Sequence, residues 1–545
     1  MDIYGSLIDG ILVALQPHNL GLAVIGVIVG LFVGALPGLG SVNGVAILLP
    51  FTFVIAEATP DPASPMIFLA AIYYGAMYGG AISSITLGIP GASTAVATTF
   101  DGRPMALKGE ADRALVTAAI ASFVGGTVAT VFFTGFAPFL SSVALDFGNP
   151  EIFALMLLAF ATFVGLGGDD IPKTLFSICF GLLLATVGFD QISGEPRLVF
   201  FNDREQLAVL ETLGVAGADS MVPVFDSVGW FSRGIQFLVL AIGVYGIGEM
   251  IWTINASRYK MTMTETKISF SRIMRGIVGM RDAWKGAVMG SLLGFFVGIL
   301  PAAGATPGSL MSYGVTKMIS RNPKSYGEGN PDGVAAPEAA NNSASTGAML
   351  PMMTLGIPGS PTTAVLLAGM VIWGLEPGPR LFEDRPEFVW PLIGSFYISN
   401  IVAVLVNLAF IPLFLWVLRM PFTILAPVIF VLSIIGTYAA YDNMYDVWLM
   451  VLFGIGAYML RILDYPLAPA VLAVVLGATA EEKLRQSLLL SDGNFAIFYS
   501  PFYDRDGRGQ EWWIAPITTW IAIALILLPI ILWGVRKMRA REVTA

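Results

Sequence analysis

Long apolar stretches run through the chain, parted by short polar segments and repeatedly interrupted by Gly and Pro. About 20 apolar residues suffice to cross a hydrocarbon core as a helix. Stretches of that order include 20–36, 66–90, 115–138, 234–254, 389–417 and 444–463. Others, such as 42–56, 286–300 and 303–319, are too short to cross alone. Residues 66–100 are too long for one straight crossing: about 50 Å at helical rise against a core of about 30 Å. The pattern predicts an all-α polytopic membrane protein with broken helices and re-entrant hairpins.

Within this pattern the chain repeats. Residues 26–44 read GVIVGLFVGALPGLGSVNG and residues 290–308 read GSLLGFFVGILPAAGATPG. Without a gap, Gly26, Gly30, Gly34, Pro37, Gly40 and Gly44 fall on Gly290, Gly294, Gly298, Pro301, Gly304 and Gly308, 264 positions later. TLGIPG occurs at 86–91 and again at 354–359, 268 positions later. Two motifs in one order at nearly one offset predict an internal duplication. The first repeat then spans 18–190 and the second 284–480. Residues 191–283 hold an external loop, a linking transmembrane helix and a basic cytoplasmic segment. Residues 481–545 hold a last transmembrane helix and a basic tail.

Basic residues orient the repeats, because Lys- and Arg-rich loops stay in the cytoplasm. No Lys or Arg precedes Arg103, whereas Arg258, Lys260, Lys267, Arg272, Arg275, Arg281 and Lys285 precede the second repeat. The segment after the first TLGIPG carries Arg103, Lys108 and Arg113, and the segment after the second is acidic on balance. This opposite bias predicts two inverted repeats, the plan of many secondary transporters. The acidic segment 190–233 falls outside, and the tail with Arg536, Lys537, Arg539 and Arg541 falls inside.

Composition agrees and narrows the function. Of the 545 residues, 56% are hydrophobic and 12% charged, too apolar for a soluble chain of this size. The net charge of −9 comes with no basic, aromatic-rich patch, so nucleic-acid binding is not indicated. His18 is the one histidine and Cys179 the one cysteine. Zinc sites, an intrachain disulfide and a Ser-His-Asp triad are thereby disfavoured, as is an intramembrane enzyme. The run Gly243–Glu249 resembles a phosphate loop only superficially, having no Walker lysine. Energy must come from an ion gradient or a separate subunit.

The candidate chemistry sits at the breaks. Gly and Pro in LPGLG and TLGIPG interrupt helices, freeing carbonyls at one half-helix end and N–H groups at the next start. Carbonyls suit a cation and an N-terminus suits an anion. Candidate substrate-binding residues are Gly91, Ser93 and Thr94 in the first repeat and Gly359, Ser360, Thr362 and Thr363 in the second. The hydroxyls have a second reading as helix caps. Candidate cation-binding residues are Gly38, Asn43, Thr86, Glu338, Asn341, Asn342 and Thr354, which offer the hard oxygen that sodium prefers. The polar run APEAANNSASTG at 336–347 supplies several, and polar residues inside a bilayer are functional candidates by default. Its counterpart in the first repeat carries Tyr73 and Tyr74 at the positions matching Asn341 and Asn342. No Lys or Arg is expected beside the motifs, so dipoles and the bound cation would balance charge.

GALPGLGSVNG, YYGAMYGGAISSITLGIPGAS, GILPAAGATPGS and APEAANNSASTGAMLPMMTLGIPGS resemble the large membrane subunit of the tripartite tricarboxylate transporters. The resemblance implies a bacterial inner-membrane secondary transporter for di- or tricarboxylates. It implies a small four-helix membrane partner and a periplasmic solute-binding protein, with sodium coupling, no cofactor and an elevator-like movement. A channel-like permease, a proton-coupled carrier and a non-transporting assembly subunit stand as alternatives.

Overall fold

The computed structural model describes residues 3–36, 39–59, 61, 63–145, 147–166, 170–190, 195–198, 234–256, 280–300, 304–417, 422–441, 443–500 and 515–527. Gly38, most of the acidic segment 190–233, most of the basic segment before the second repeat and the basic tail lie outside them. The regular elements among the described residues are helices, apart from a pair of two-residue strands, Gly188–Phe189 with Pro196–Arg197. Among them, 6 helices are long and apolar enough to cross a membrane, or up to 7 if one bent pair is a single span. The protein is thus a multi-pass membrane protein. The bent pair is Gly40–Leu48 with Phe51–Ala58, turned by 51°.

The chain divides into two compact units. The larger comprises residues 1–147, 242–442 and 454–458. Its helices are α1 (Ile3–Ala14), α2 (Pro17–Ala35), α3 (Gly40–Leu48), α4 (Phe51–Ala58), α5 (Ser64–Leu87), α6 (Val96–Leu107) and α7 (Ala111–Ala144). The smaller comprises residues 148–241, 443–453 and 459–545. It holds α8 (Asn149–Leu166), α9 (Ile171–Ala185) and the two short strands. Asp170 caps α9 by accepting from the Lys173 N–H. Phe237–Ala241 (α10) leads through a π-helical stretch, Ile242–Gly248, into Glu249–Ala256 (α11). The larger unit resumes with α12 (Trp284–Ile299), α13 (Ala305–Ile319), α14 (Pro331–Leu355), α15 (Pro361–Ile372), α16 (Leu381–Asp384), α17 (Pro386–Val417) and α18 (Phe422–Tyr441). Then come α19 (Met444–Ile462) and, in the smaller unit, α20 (Leu467–Leu490) and α21 (Ala496–Tyr499). In that unit Gly181 of α9 abuts the Ala470 carbonyl of α20, and Arg197 and Arg485 both pair with Asp190 and Glu481.

At the centre of the larger unit stand α5 and α14. Every residue of α5 is buried, and α14 is buried from Gly333 to Thr354. Almost wholly apolar or small around its circumference, α5 has no solvent face to keep, and α14 buries a polar run as well. What packs them is the pair of glycine ladders. A Cβ at Gly26, Gly30 or Gly34 of α2 would lie 2.7, 2.2 or 2.1 Å from the carbonyl oxygens of Phe68, Ile72 and Ala76 on α5. A Cβ at Gly290, Gly294 or Gly298 of α12 would lie 2.2, 2.5 or 2.3 Å from those of Ala336, Ala340 and Ala344 on α14. The three carbonyl partners of the first ladder match those of the second, 268 positions on. Lipid offers no hydrophobic drive between helices, so backbone contact through small residues supplies dispersion instead.

Gly34→Ala or Gly298→Ala must push two helix backbones apart. Overpacking of this kind costs about 1–3 kcal/mol. Thermal unfolding followed by size-exclusion fluorescence should show a lowered midpoint for both. Gly21→Ala and Gly314→Ala, with nothing within 4 Å of the new methyl, should leave it unchanged.

Candidate functional site

Two hairpin tips and two helix breaks build the site. The first break follows Gly88, which ends α5 at φ 72°, ψ 16°. The second follows Gly356, which ends α14 at φ 68°, ψ 19°. Only glycine adopts this left-handed conformation without strain, so both helices stop there. Ala92 and Ser360 are then extended, at φ −143°, ψ 161° and φ −154°, ψ 164°. The repeats share one backbone path.

Along that path the freed carbonyls of one half-helix and the new N-terminus of the next lie apart, because the chain doubles back after each glycine. A Cβ at Gly91 would meet Gly34 O at 2.0 Å, Ser83 Oγ at 2.9 Å and Gly80 Cα at 3.0 Å. Gly91 therefore lies beside residues five to eight positions up α5, roughly 7–12 Å from its end. Gly359 lies likewise against Ala348. The carbonyl ends and the new N-termini are different places.

The carbonyl ends are already occupied. Arg103 Nη1 donates to the Thr86 carbonyl at 2.5 Å, and the Arg103 side chain lies over Gly88. No arginine was expected there. It arrives because α6 runs alongside the end of α5 and carries Arg103 back to it. At the second break the Gly378 N–H donates to the Met353 carbonyl at 3.1 Å. The Thr86 and Thr354 hydroxyls turn back to the Ile82 and Leu350 carbonyls of their own helices.

At the other end of each break the elements converge. Gly40 and Gly304 open the second arms of the two hairpins at φ 63° and 67°. Gly40 faces Gly91 and Ala92, and Gly304 faces Gly359 and Ser360, with its N–H donating to the Gly359 carbonyl at 2.9 Å. The repeats then cross-link. Ser41 Oγ lies 2.9 Å from Thr362 Oγ1, and Ser93 Oγ lies 3.1 Å from Thr306 Oγ1. Tyr73 OH reaches Ser360 Oγ at 3.4 Å. Ser360 and Thr363 form a capping box on α15, which is the capping reading of those hydroxyls. Ser93 makes no such cap on its own helix. Asn43 is buried in α3, 4% exposed.

A polar seam lines α14 beside this cluster. Glu338, fully buried, accepts from Thr98 Oγ1 at 2.5 Å and Ser122 Oγ at 3.1 Å. Thr98 lies in the first turn of α6, so a resident carboxylate sits at that half-helix start, where the macrodipole favours it. Asn341 Nδ2 donates to the Met77 carbonyl and Asn342 Nδ2 to the Glu338 carbonyl, both at 3.2 Å. Among the described residues the Oδ1 atoms of both asparagines are buried without a partner. Tyr74 OH lies 2.7 Å from Thr346 Oγ1. Sequence reasoning missed Ser41, Thr306, Ser122 and Arg103 as members of this region. Ser41 and Thr306 could have been found as the first hydroxyls after the two tip glycines.

A family model described as the tripartite tricarboxylate transporter TctA family matches residues 20–472. The chain belongs to that family. It is the large subunit of a tripartite tricarboxylate transporter, a system that works with partner subunits. A protein of Agrobacterium vitis, described as an uncharacterized 52.8 kDa protein in the TAR-I ttuC' 3'region, is 35% identical over 501 residues, covering 91% of this chain and 92% of that one. A second, described as an uncharacterized protein in the TAR-II ttuC' 3'region of the same organism, is 37% identical over 205 residues, covering 38% of this chain and 85% of that one. No solved structure matches the chain.

Thr98→Val keeps the side-chain volume and removes one donor to a buried carboxylate. A hydrogen bond to a charged group is worth about 1.5–3 kcal/mol. Chemical denaturation in detergent should show a loss of that order, and an unchanged midpoint would remove Thr98 as a partner of Glu338.

Proposed function

We propose that this chain imports di- or tricarboxylate anions across the bacterial inner membrane by cation symport. A periplasmic solute-binding protein delivers the substrate, and a small four-helix membrane subunit completes the complex. The observation that carries this reading is the meeting of both hairpin tips and both helix breaks around one set of hydroxyls and amides. Ser93, Thr94, Thr362 and the backbone of Gly91 and Gly359 receive the carboxylates, with Ser360 and Thr363 shaping the second half-helix start. Asn43, Asn341 and Asn342 supply oxygen to the cation, and the unpartnered Oδ1 atoms of the last two support that role. Sodium fits best, because amide and hydroxyl oxygens are hard ligands. The repeats stand inverted in the membrane with the C-terminus in the cytoplasm, and their core moves in an elevator-like manner.

Uptake in proteoliposomes tests this. With the small subunit present and the binding protein outside, a labelled carboxylate should accumulate only when a sodium gradient is imposed. Downhill flux indifferent to both would replace the carrier with a channel. A proton-coupled cycle is the second reading, favoured by the buried Glu338. Glu338→Gln should keep some sodium-dependent uptake; complete loss with substrate binding intact would favour proton coupling.

A further inference from the structure

The two repeats share a backbone path but not its fastenings. Asp101, in α6, is fully buried. Its Oδ1 accepts the N–H groups of Gly327, Gly329 and Asn330 at 2.9, 2.8 and 2.7 Å, and its Oδ2 accepts from Tyr313 OH at 3.0 Å. Tyr313 belongs to α13, and residues 327–330 link α13 to α14. A Cβ at Gly333 would lie 2.1 Å from Oδ2, so the carboxylate is also enclosed sterically. Farther along α6, Arg103 holds the end of α5 and Lys108 Nζ donates to the Glu328 carbonyl. Charge-assisted bonds are about twice as strong as neutral ones. One half-helix of the first repeat is thus fastened to the second hairpin and the segment after it by two charged side chains, Asp101 and Lys108, and to α5 by a third, Arg103.

The matching positions of the second repeat, 268 residues on, are Gly369, Val371 and Glu376. The three atoms nearest a Cβ at Gly369 are apolar: Leu49 Cδ1 at 3.1 Å, Leu69 Cδ1 at 3.4 Å and Met66 Sδ at 3.5 Å. Val371 is 60% exposed and Glu376 is exposed. A cavity of about 620 Å³ opens beside the end of α15, lined by Ala144, Leu145, Gly374, Pro379, Arg380 and Asp384 among others. Across the seam between α3 and α15 Ser41 meets Thr362, and neither helix carries a charged residue.

We propose that Asp101 latches α6 to α13 as one rigid seam, and that the opposite seam, α3 against α15, is the gate that parts to admit substrate. Apolar contacts separate and re-form without stranding a polar group, whereas parting α6 from α13 would strand a buried carboxylate and three amides. With the basic end of α6 in the cytoplasm, the gate opens outward. Asp101 is a positioning residue, and the gate rests on the transport reading above.

Two measurements on the full chain with its partners decide it. In hydrogen exchange, the amides of Gly327, Gly329, Asn330 and α6 should exchange at least tenfold more slowly than those of α15. Asp101→Ala should speed the three loop amides at least tenfold and leave α15 alone. Equal protection of α6 and α15 in the native protein overturns the proposal even if that variant fails to fold. The second measurement places cysteine pairs in a Cys179→Ser background. Cross-linking Lys108→Cys with Glu328→Cys should leave uptake within about twofold of the reduced state. Cross-linking Leu49→Cys with Gly369→Cys should cut it more than tenfold, with recovery on reduction. Equal effects of the two cross-links overturn the gate. Absence of uptake in the reduced native chain would sink the transport reading instead, and the exchange data would still decide the latch.

Discussion

Inside a hydrocarbon core an N–H or C=O group without a partner is too expensive to tolerate, and this constraint organises the larger unit. The chain breaks two helices and turns two hairpins within one bundle. Each irregular segment is held by another. Gly304 donates to Gly359, Ser41 meets Thr362 and Ser93 meets Thr306. The carbonyl end of α5 is closed by Arg103 and that of α14 by Gly378. Irregular backbone survives at these points because it is buried in protein, and the same burial brings oriented oxygens together.

Close packing makes that assembly possible. The ladders on α2 and α12 let two helices lie with their backbones against the carbonyls of α5 and α14. A hairpin tip can reach Gly91 or Gly359 only if the helix that leads to it lies this close. Packing at the ladders and geometry at the site are therefore one arrangement, and it occurs twice with the same residue correspondence.

Much of this was legible in the sequence. The Gly ladders, the two TLGIPG copies and the polar run at 336–347 mark the packed helices, the breaks and the seam on α14. The doubling back after Gly88 and Gly356 was not legible, since local sequence shows where a helix stops and not where the chain goes next. For the same reason Arg103 was read as part of a following loop, although α6 returns it to the end of α5. Asp101 gave a faint signal as the lone acid between Asp61 and Glu110. Its three amide partners lie more than 220 positions away, beyond any pattern in one chain.

The scaffold is symmetric and its chemistry is not. Glu338 and Asp101 serve the first half-helix, while the second has hydroxyls at its start and apolar contacts along its side. A carrier that binds an anion and a cation together needs such a difference between two otherwise equal halves. The most direct test is a cryo-EM map of the assembled transporter with a carboxylate and sodium bound. The account predicts substrate density between the two breaks, against Ser93, Thr94 and Thr362, with the cation on the side of Asn341 and Asn342. Substrate density elsewhere, with the hairpin tips and breaks still in mutual contact, would contradict it.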